Sequence, residues 1–192
     1  EDGLDHRVEH RAEPVLLGVQ VLDAIGELVG EFEQATGISL REELAPAEEL
    51  VAETDEIPAR IVAQMKEMGL FGLTVPEDYG GLGLTMEEES LVMFELCRTS
   101  PAFRSLIGTT VGIGSQGIVI DGTQEQKQTW LPRLASGEAI ASFALTEPGS
   151  GSDAASIRTS AVREGDHYVV NGTKRFITNA PHADVFTLMA RT

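Results

Sequence analysis

The chain has one cysteine, Cys97, so no internal disulfide can staple it. Basic residues are scarce: 14 Lys and Arg against 31 Asp and Glu leave a formal net charge of −17. Nucleic acid and anionic membrane surfaces would repel such a protein, and neither is expected as a partner. Aromatic residues make up only 5%, with a single tryptophan, Trp130, which reads as packing on a capped helix rather than a stacking platform. No apolar run approaches the roughly 18 residues of a membrane-crossing helix, and no basic segment followed by an apolar one opens the chain. Cytoplasmic is the expected location, with the mitochondrial matrix the alternative if a targeting segment has been removed. His167 and His182 stand near turn residues without Cys or carboxylate at ligand spacing, so no metal is expected.

What is present suffices for one domain with a sizeable core and part of another: 192 residues that begin with Glu and stop at Arg191-Thr192 after an apolar run. This reads as a fragment. Residues 1–17 read as a flexible lead. From Val15 to Phe32 apolar residues recur at three and four, which predicts a helix. A second is expected over Ser39–Glu53 with a bend at Pro46, and a third from Pro58 to Gly69 with Ile61, Met65 and Met68 on its core face. Glu42, Glu43, Glu48, Glu49, Glu53, Asp55 and Glu56 read as a solvated helix face. Thr74–Leu84, with Pro76 and three glycines, reads as a loop. Thr85 with Glu88 and Thr123 with Gln126 have capping-box spacing and predict helices to Arg98 and to about Gly137, with another helix after Pro101. Cys97, among Leu91, Val92, Phe94 and Leu96, is expected to be a buried, inert thiol, and Met86 core or pocket filler.

After Gly137 the apolar period shortens. Ala139–Leu145, Arg158–Arg163 and Asp184–Met189 read as strands, and His167–Val170 and Arg175–Thr178 as strands flanking an Asn171-Gly172 turn. The expected fold is therefore an α+β fragment: an all-α helical bundle over 18–137, then the first strands of a β-barrel-like domain over 138–192. Gly112-Ile113-Gly114-Ser115-Gln116-Gly117 fits a dinucleotide pattern, but Asp121-Gly122 follows too soon for the full helix of a βαβ unit. A glycine-lightened helix, closely approached by backbone or ligand, is the better reading.

Ala144–Ser156 reads Ala-Leu-Thr-Glu-Pro-Gly-Ser-Gly-Ser-Asp-Ala-Ala-Ser. Gly149 and Gly151 can take positive φ without a Cβ penalty, so their amides are expected to converge on an anion, with Ser150 and Ser152 adding hydroxyl donors. Such a loop suits a diphosphate. Glu147 lies where a general base would be tempting.

Thr146-Glu147-Pro148-Gly149-Ser150-Gly151-Ser152-Asp153, followed by Asn171-Gly172-Thr173-Lys174-Arg175-Phe176-Ile177-Thr178-Asn179, resembles the flavin-binding signature of the acyl-CoA dehydrogenases. Gly69–Gly83 and Gln126–Gly137 resemble helical-domain signatures of the same family. The resemblance implies FAD, bound where the helical and β domains meet, with Phe143, Leu145, Thr146, Gly151, Ser152, Phe176, Ile177 and Thr178 at the cofactor. Thr146 would meet the pyrimidine edge of the flavin. Gly151 and Ser152 would meet the pyrophosphate or the thioester side of the acyl-CoA. Phe176 would pack on the ring and Thr178 would donate toward N5, where donors stabilise the charge of the reduced flavin. Phe176 stands where the family usually has tryptophan, keeping a π-face but losing the indole N–H. Thr109 and Gly112, with Thr110, would line the acyl pocket, with Ser152 also on the substrate side.

The resemblance also implies that the catalytic glutamate comes from a C-terminal helical domain. No residue of these 192 is then the base, and Glu147 and Asp153 are expected to brace their own loop through backbone amides. The chain by itself is expected to bind FAD poorly and to be inactive. The full-length protein would abstract the α-proton of an acyl-CoA, pass the β-hydride to FAD and leave a trans-2-enoyl-CoA. An electron-transfer flavoprotein would take the electrons, and a homo-oligomer, tetramer or dimer, is expected. An acyl-CoA oxidase and a non-catalytic binding or assembly subunit of the same fold are the alternatives.

Overall fold

The computed structural model describes Gly30 and residues 44–192. The lead over 1–17, most of the helix over Val15–Phe32 and the start of the helix from Ser39 lie outside the described residues. Pro46 sits in a single 3₁₀ turn, Ala45–Ala47, that feeds helix α1 (Glu48–Thr54). Pro58 precedes α2 (Ala59–Glu67), whose Ile61 and Met65 are buried together with Met68 just beyond its end.

The two capping boxes form as their spacing predicts. The Thr85 hydroxyl accepts from the Glu88 amide while the Glu88 carboxylate accepts from Thr85 N at 2.7 Å, opening α3 (Met86–Leu96). Ser100 and Pro101 start α4 (Pro101–Gly108). A π-helical turn over Thr109–Gly114 then leads into α5 (Gln116–Asp121). Thr123 and Gln126 close the second box at the head of α6 (Gln124–Ala135). Thr123→Ala is expected to cost about 1 kcal/mol, through the orphaned N–H groups of that first turn. A thermal melt should show this as a fall in Tm of roughly 2–4 °C.

Two apolar clusters hold the helices. The first joins α1 to α4 through buried residues that include Val51, Ile61, Met65, Phe71, Leu96 and Phe103. The second packs Leu131, Leu134 and Ala135 of α6 against Val75, Ala139 and Ala141. Between them the chain makes a closed loop. Leu82 N donates to Gly72 O, Gly83 N to Val75 O and Leu84 N to Leu73 O, all at 2.8–2.9 Å, around a turn at Glu77–Gly80.

Two expectations about α3 are corrected. Cys97 is exposed, and Met86 is 82% exposed. The helix buries Leu91, Val92, Glu95 and Leu96, which turns Phe94, 59% exposed, to the opposite side with Cys97.

The strands are fewer and shorter than the period suggests. β1 (Ala141–Ala144) and β4 (Val185–Leu188) pair in parallel, Ala141 opposite Val185. β2 (Ser160–Glu164) and β3 (His167–Asn171) pair antiparallel, Glu164 opposite His167. The hairpin turn therefore lies at Gly165 (φ +67), not at Asn171-Gly172, and Arg175–Thr178 is not a strand. Phe176 has φ +57, a left-handed conformation that breaks an extended run. The 112–117 glycine pattern lies across the π turn and the start of α5, with α4 rather than a strand before it, so the dinucleotide setting does not arise. The architecture is a helical domain followed by a few strands, an α+β arrangement.

Candidate functional site

The segment after β1 and the segment after β3 lie side by side. Arg175 N donates to Thr146 O at 2.9 Å, and Ser142 Oγ of β1 donates to Thr178 O at 2.5 Å. Lys174 Nζ donates to Leu145 O at 2.8 Å and to Glu147 Oε1 at 2.9 Å. Glu147 in turn accepts from Arg158 N at 2.6 Å and Thr159 N at 2.8 Å. The Glu147 and Lys174 side chains are only 6% and 10% exposed.

Glu147 thus braces backbone, as expected, but that of the Arg158–Thr159 segment across the site. The Thr159 hydroxyl faces the carboxylate without completing a hydrogen bond of ordinary geometry. That hydroxyl, the Lys174 ammonium and the two amides outweigh burial and hold the Glu147 carboxyl at about 2. A carboxylate so engaged is a poor proton acceptor, which agrees with reading it as a brace rather than a base. Its folded value lies below the ordinary 4.5. Its contribution to stability is therefore complete above that ordinary value and is lost as pH falls toward about 2. Acid unfolding monitored by circular dichroism should show this loss, and Glu147→Gln should flatten the pH dependence in that window.

The cofactor candidates fall into two groups. Phe143, Leu145, Thr146, Gly151 and Ile177 are half-buried, whereas Ser152, Phe176 and Thr178 are exposed. The hydroxyls of Thr146, Ser152 and Thr178 have no partner among the described residues. Their neighbours are engaged: Ser142 bonds Thr178 O, Ser150 bonds Asp153 O and Ser156 bonds the Asp153 carboxylate. Phe176 is 79% exposed, with the Arg175 guanidinium carbon 4.1 Å from its ring centroid. The two segments therefore present three free hydroxyls and an exposed aromatic residue. That donor set suits a polar, planar heterocycle carrying a phosphate tail.

The positive φ expected at Gly149 and Gly151 is not adopted, and the amides of Glu147 and Ser150 are spent on each other's carbonyls at 2.7 and 3.3 Å. Asp153 braces through the hydroxyls of Ser150 and Ser156 and through Ser156 N, which reaches its carbonyl, rather than by its carboxylate gathering amides.

Thr109 and Gly112 are half-buried on the π turn, and nothing lies within 4 Å of where a Gly112 Cβ would stand. Thr110 is fully buried and engaged, its hydroxyl accepting from Ala141 N at 3.1 Å and donating to Ala141 O at 3.4 Å, which removes it from the pocket-lining set. The turn is held open by side chains. Ser115 N reaches Thr110 O at 3.1 Å, while Val111 O accepts from the Thr74 hydroxyl at 2.8 Å and Gly114 O from that of Thr187 at 2.9 Å. Sequence reasoning assigns no role to Thr74, Thr187 or Lys174, because each acts through groups distant along the chain. Among the described residues no group of three or more His, Cys, Asp or Glu is placed to hold a metal ion.

Residues 31–138 match the model of the acyl-CoA dehydrogenase N-terminal domain, and residues 142–192 that of the middle domain of the same family. An acyl-CoA dehydrogenase of Bacillus subtilis (strain 168) is 42% identical over 152 residues, covering 79% of this chain and 40% of the relative. The crystal structure of an acyl-CoA dehydrogenase complexed with FAD from Bacillus anthracis superposes with a TM-score of 0.72 at 38% identity, over 88% of this chain and 28% of that one. A structure described as the electron transferring flavoprotein of Acidaminococcus fermentans gives 0.75 at 31% identity, over 96% of this chain and 45% of that one. The chain thus spans less than half the length of these relatives. Two matched family models over most of the sequence, on a fold that superposes with the family's solved members, make this chain a member of the acyl-CoA dehydrogenase family.

Proposed function

We propose that this chain supplies the helical wall and the first cofactor-holding segments of an FAD-dependent acyl-CoA dehydrogenase. The observation that carries this reading is the set of free hydroxyls on Thr146, Ser152 and Thr178, with the exposed Phe176, on two segments tied through Arg175 N. FAD, when bound, supplies a hydride acceptor for the β-carbon of an acyl-CoA. Thr146 holds the pyrimidine edge, Phe176 covers the ring, Thr178 donates toward N5, and Gly151 with Ser152 meets the pyrophosphate or the thioester side. Phe143, Leu145 and Ile177 pack around them. Thr109 and Gly112 border the acyl group, where the open space over Gly112 leaves room for it.

The product is a trans-2-enoyl-CoA. The α-proton goes to a glutamate outside these residues, since Glu147 is held by Lys174 and two amides. An electron-transfer flavoprotein as the electron partner is supported by the Acidaminococcus neighbour. A homo-oligomer in the cytoplasm completes the reading.

Two polypeptides test it: the 192 residues alone, and the protein at the length of its relatives. The longer form should retain stoichiometric FAD and lose visible flavin absorbance when an acyl-CoA is added anaerobically. The shorter form should retain little flavin and show no bleaching. Stoichiometric yellow protein that bleaches in the shorter form would place the base within this chain, and Glu147 would be the first residue to replace.

A further inference from the structure

We propose that Lys174 is a positioning residue that sets the spacing between Thr146 and Phe176. Its Nζ reaches both flanks of Thr146, donating to Leu145 O at 2.8 Å and to Glu147 Oε1 at 2.9 Å. The next residue, Arg175, donates its amide to Thr146 O at 2.9 Å, so Thr146 is held on three sides by two consecutive residues. Glu147 anchors the assembly further, through the amides of Arg158 and Thr159 that lead into β2.

The need for such a tie is visible at Phe176. The residue is 79% exposed and its backbone is left-handed at φ +57. Side-chain burial therefore does not fix its place, and a left-handed phenylalanine persists only where its surroundings impose it. The Arg175 guanidinium lies 4.1 Å from the ring centroid, and Lys174, two residues before Phe176 and only 10% exposed, anchors the segment that carries both. An ammonium this buried depends on its two acceptors, so loss of either one loosens the arrangement. The inference rests on the FAD reading above: Thr146 and Phe176 contact the cofactor, and Lys174 acts through them.

The test compares Lys174→Met with Thr123→Ala in the protein at the length of its relatives. Thr123 caps α6 and is bonded to Gln126, away from these segments. Three quantities are read: Tm, the dissociation constant for FAD by titration of the apoprotein, and hydrogen exchange at the Arg175 amide without FAD. Lys174→Met should raise the FAD dissociation constant about 10- to 100-fold and speed Arg175 exchange about tenfold or more. Thr123→Ala should lower Tm and leave both other readings within about twofold of wild type.

If Lys174→Met changes Tm alone, Lys174 is ordinary structure and the proposal is overturned. Should that variant not fold, Glu147→Gln takes its place: its single amide oxygen cannot accept from Arg158 N, Thr159 N and Lys174 Nζ as the two carboxylate oxygens do, and the charge that pairs with the ammonium is gone, so weaker FAD binding and faster Arg175 exchange are expected. Unchanged affinity and exchange there overturn the proposal equally. A wild-type protein that binds no FAD overturns the functional reading itself, an outcome separable from these because it needs no variant.

Discussion

Replacing Gly81 with alanine is expected to cost about 3 kcal/mol or more and to lower Tm by roughly 10 °C. A Cβ at this position would stand 2.0 Å from Val75 O and 2.6 Å from both Val75 C and Val75 Cβ. Such contacts cannot be relieved by rotating a side chain, because the obstacle is backbone. Val75 is fully buried in the second cluster beside Leu131 and Leu134, and its carbonyl already accepts from Gly83 N at 2.9 Å. The loop must therefore open or the cluster must give way. Gly80 is the control. It has φ +81 with nothing within 4 Å of its Cβ position, so Gly80→Asn, which tolerates a left-handed backbone, should cost no more than about 1 kcal/mol. Thermal melts of the two variants separate close approach from conformational freedom. Equal stability of Gly81→Ala and wild type would show that the loop yields without cost.

The second large effect is expected at Gly172. An alanine there would place its Cβ 2.3 Å from Thr159 Oγ1, 2.7 Å from Thr159 Cβ and 2.8 Å from Thr159 Cα. Thr159 has little freedom to withdraw: it is 2% exposed, its amide donates to Glu147 at 2.8 Å and its carbonyl accepts from Arg191 N at 2.8 Å. The displaced segment is then Gly172–Thr173, and Lys174 follows it. The outcome should be a loss of about 2–3 kcal/mol and FAD binding weakened about a hundredfold. The double variant Thr159→Gly/Gly172→Ala removes the hydroxyl and Cβ that block the way, and should recover part of both losses. A double variant no better than the single one would place the damage elsewhere.

These two glycines show what is legible in the sequence and what is not. Helix starts at Thr85 and Thr123 can be read because the box is complete within four residues and both partners are local. The turn expected at Asn171-Gly172 is misplaced because Gly172 is required by approach to Thr159, a contact across the hairpin with no local signature. The true turn, at Gly165, follows an acidic residue and carries no Asn-Gly pair. Within α3 the run Leu91-Val92-Met93-Phe94 is apolar on more than one side, so spacing alone does not decide that Phe94 and Cys97 face outward. The cofactor segments are recognisable by resemblance. Lys174 carries no signal of its own, since its importance lies in reaching Leu145 and Glu147.

The π turn at Thr109–Gly114 changes the phase of the long helical run that holds it. Phe103, Ile107 and Val111 recur every fourth residue and all face the first cluster. Beyond the turn, Ile118 and Val119 pack on the second. An added residue in a helix advances the following side chains by about 100°. The extra residue per turn thus acts as a phase shifter, letting one rod serve two cores that an unbroken α-helix of the same sequence would not satisfy together. A one-residue deletion here would be less a shortening than a rotation, turning α5 away from β4 while α4 stayed where it was.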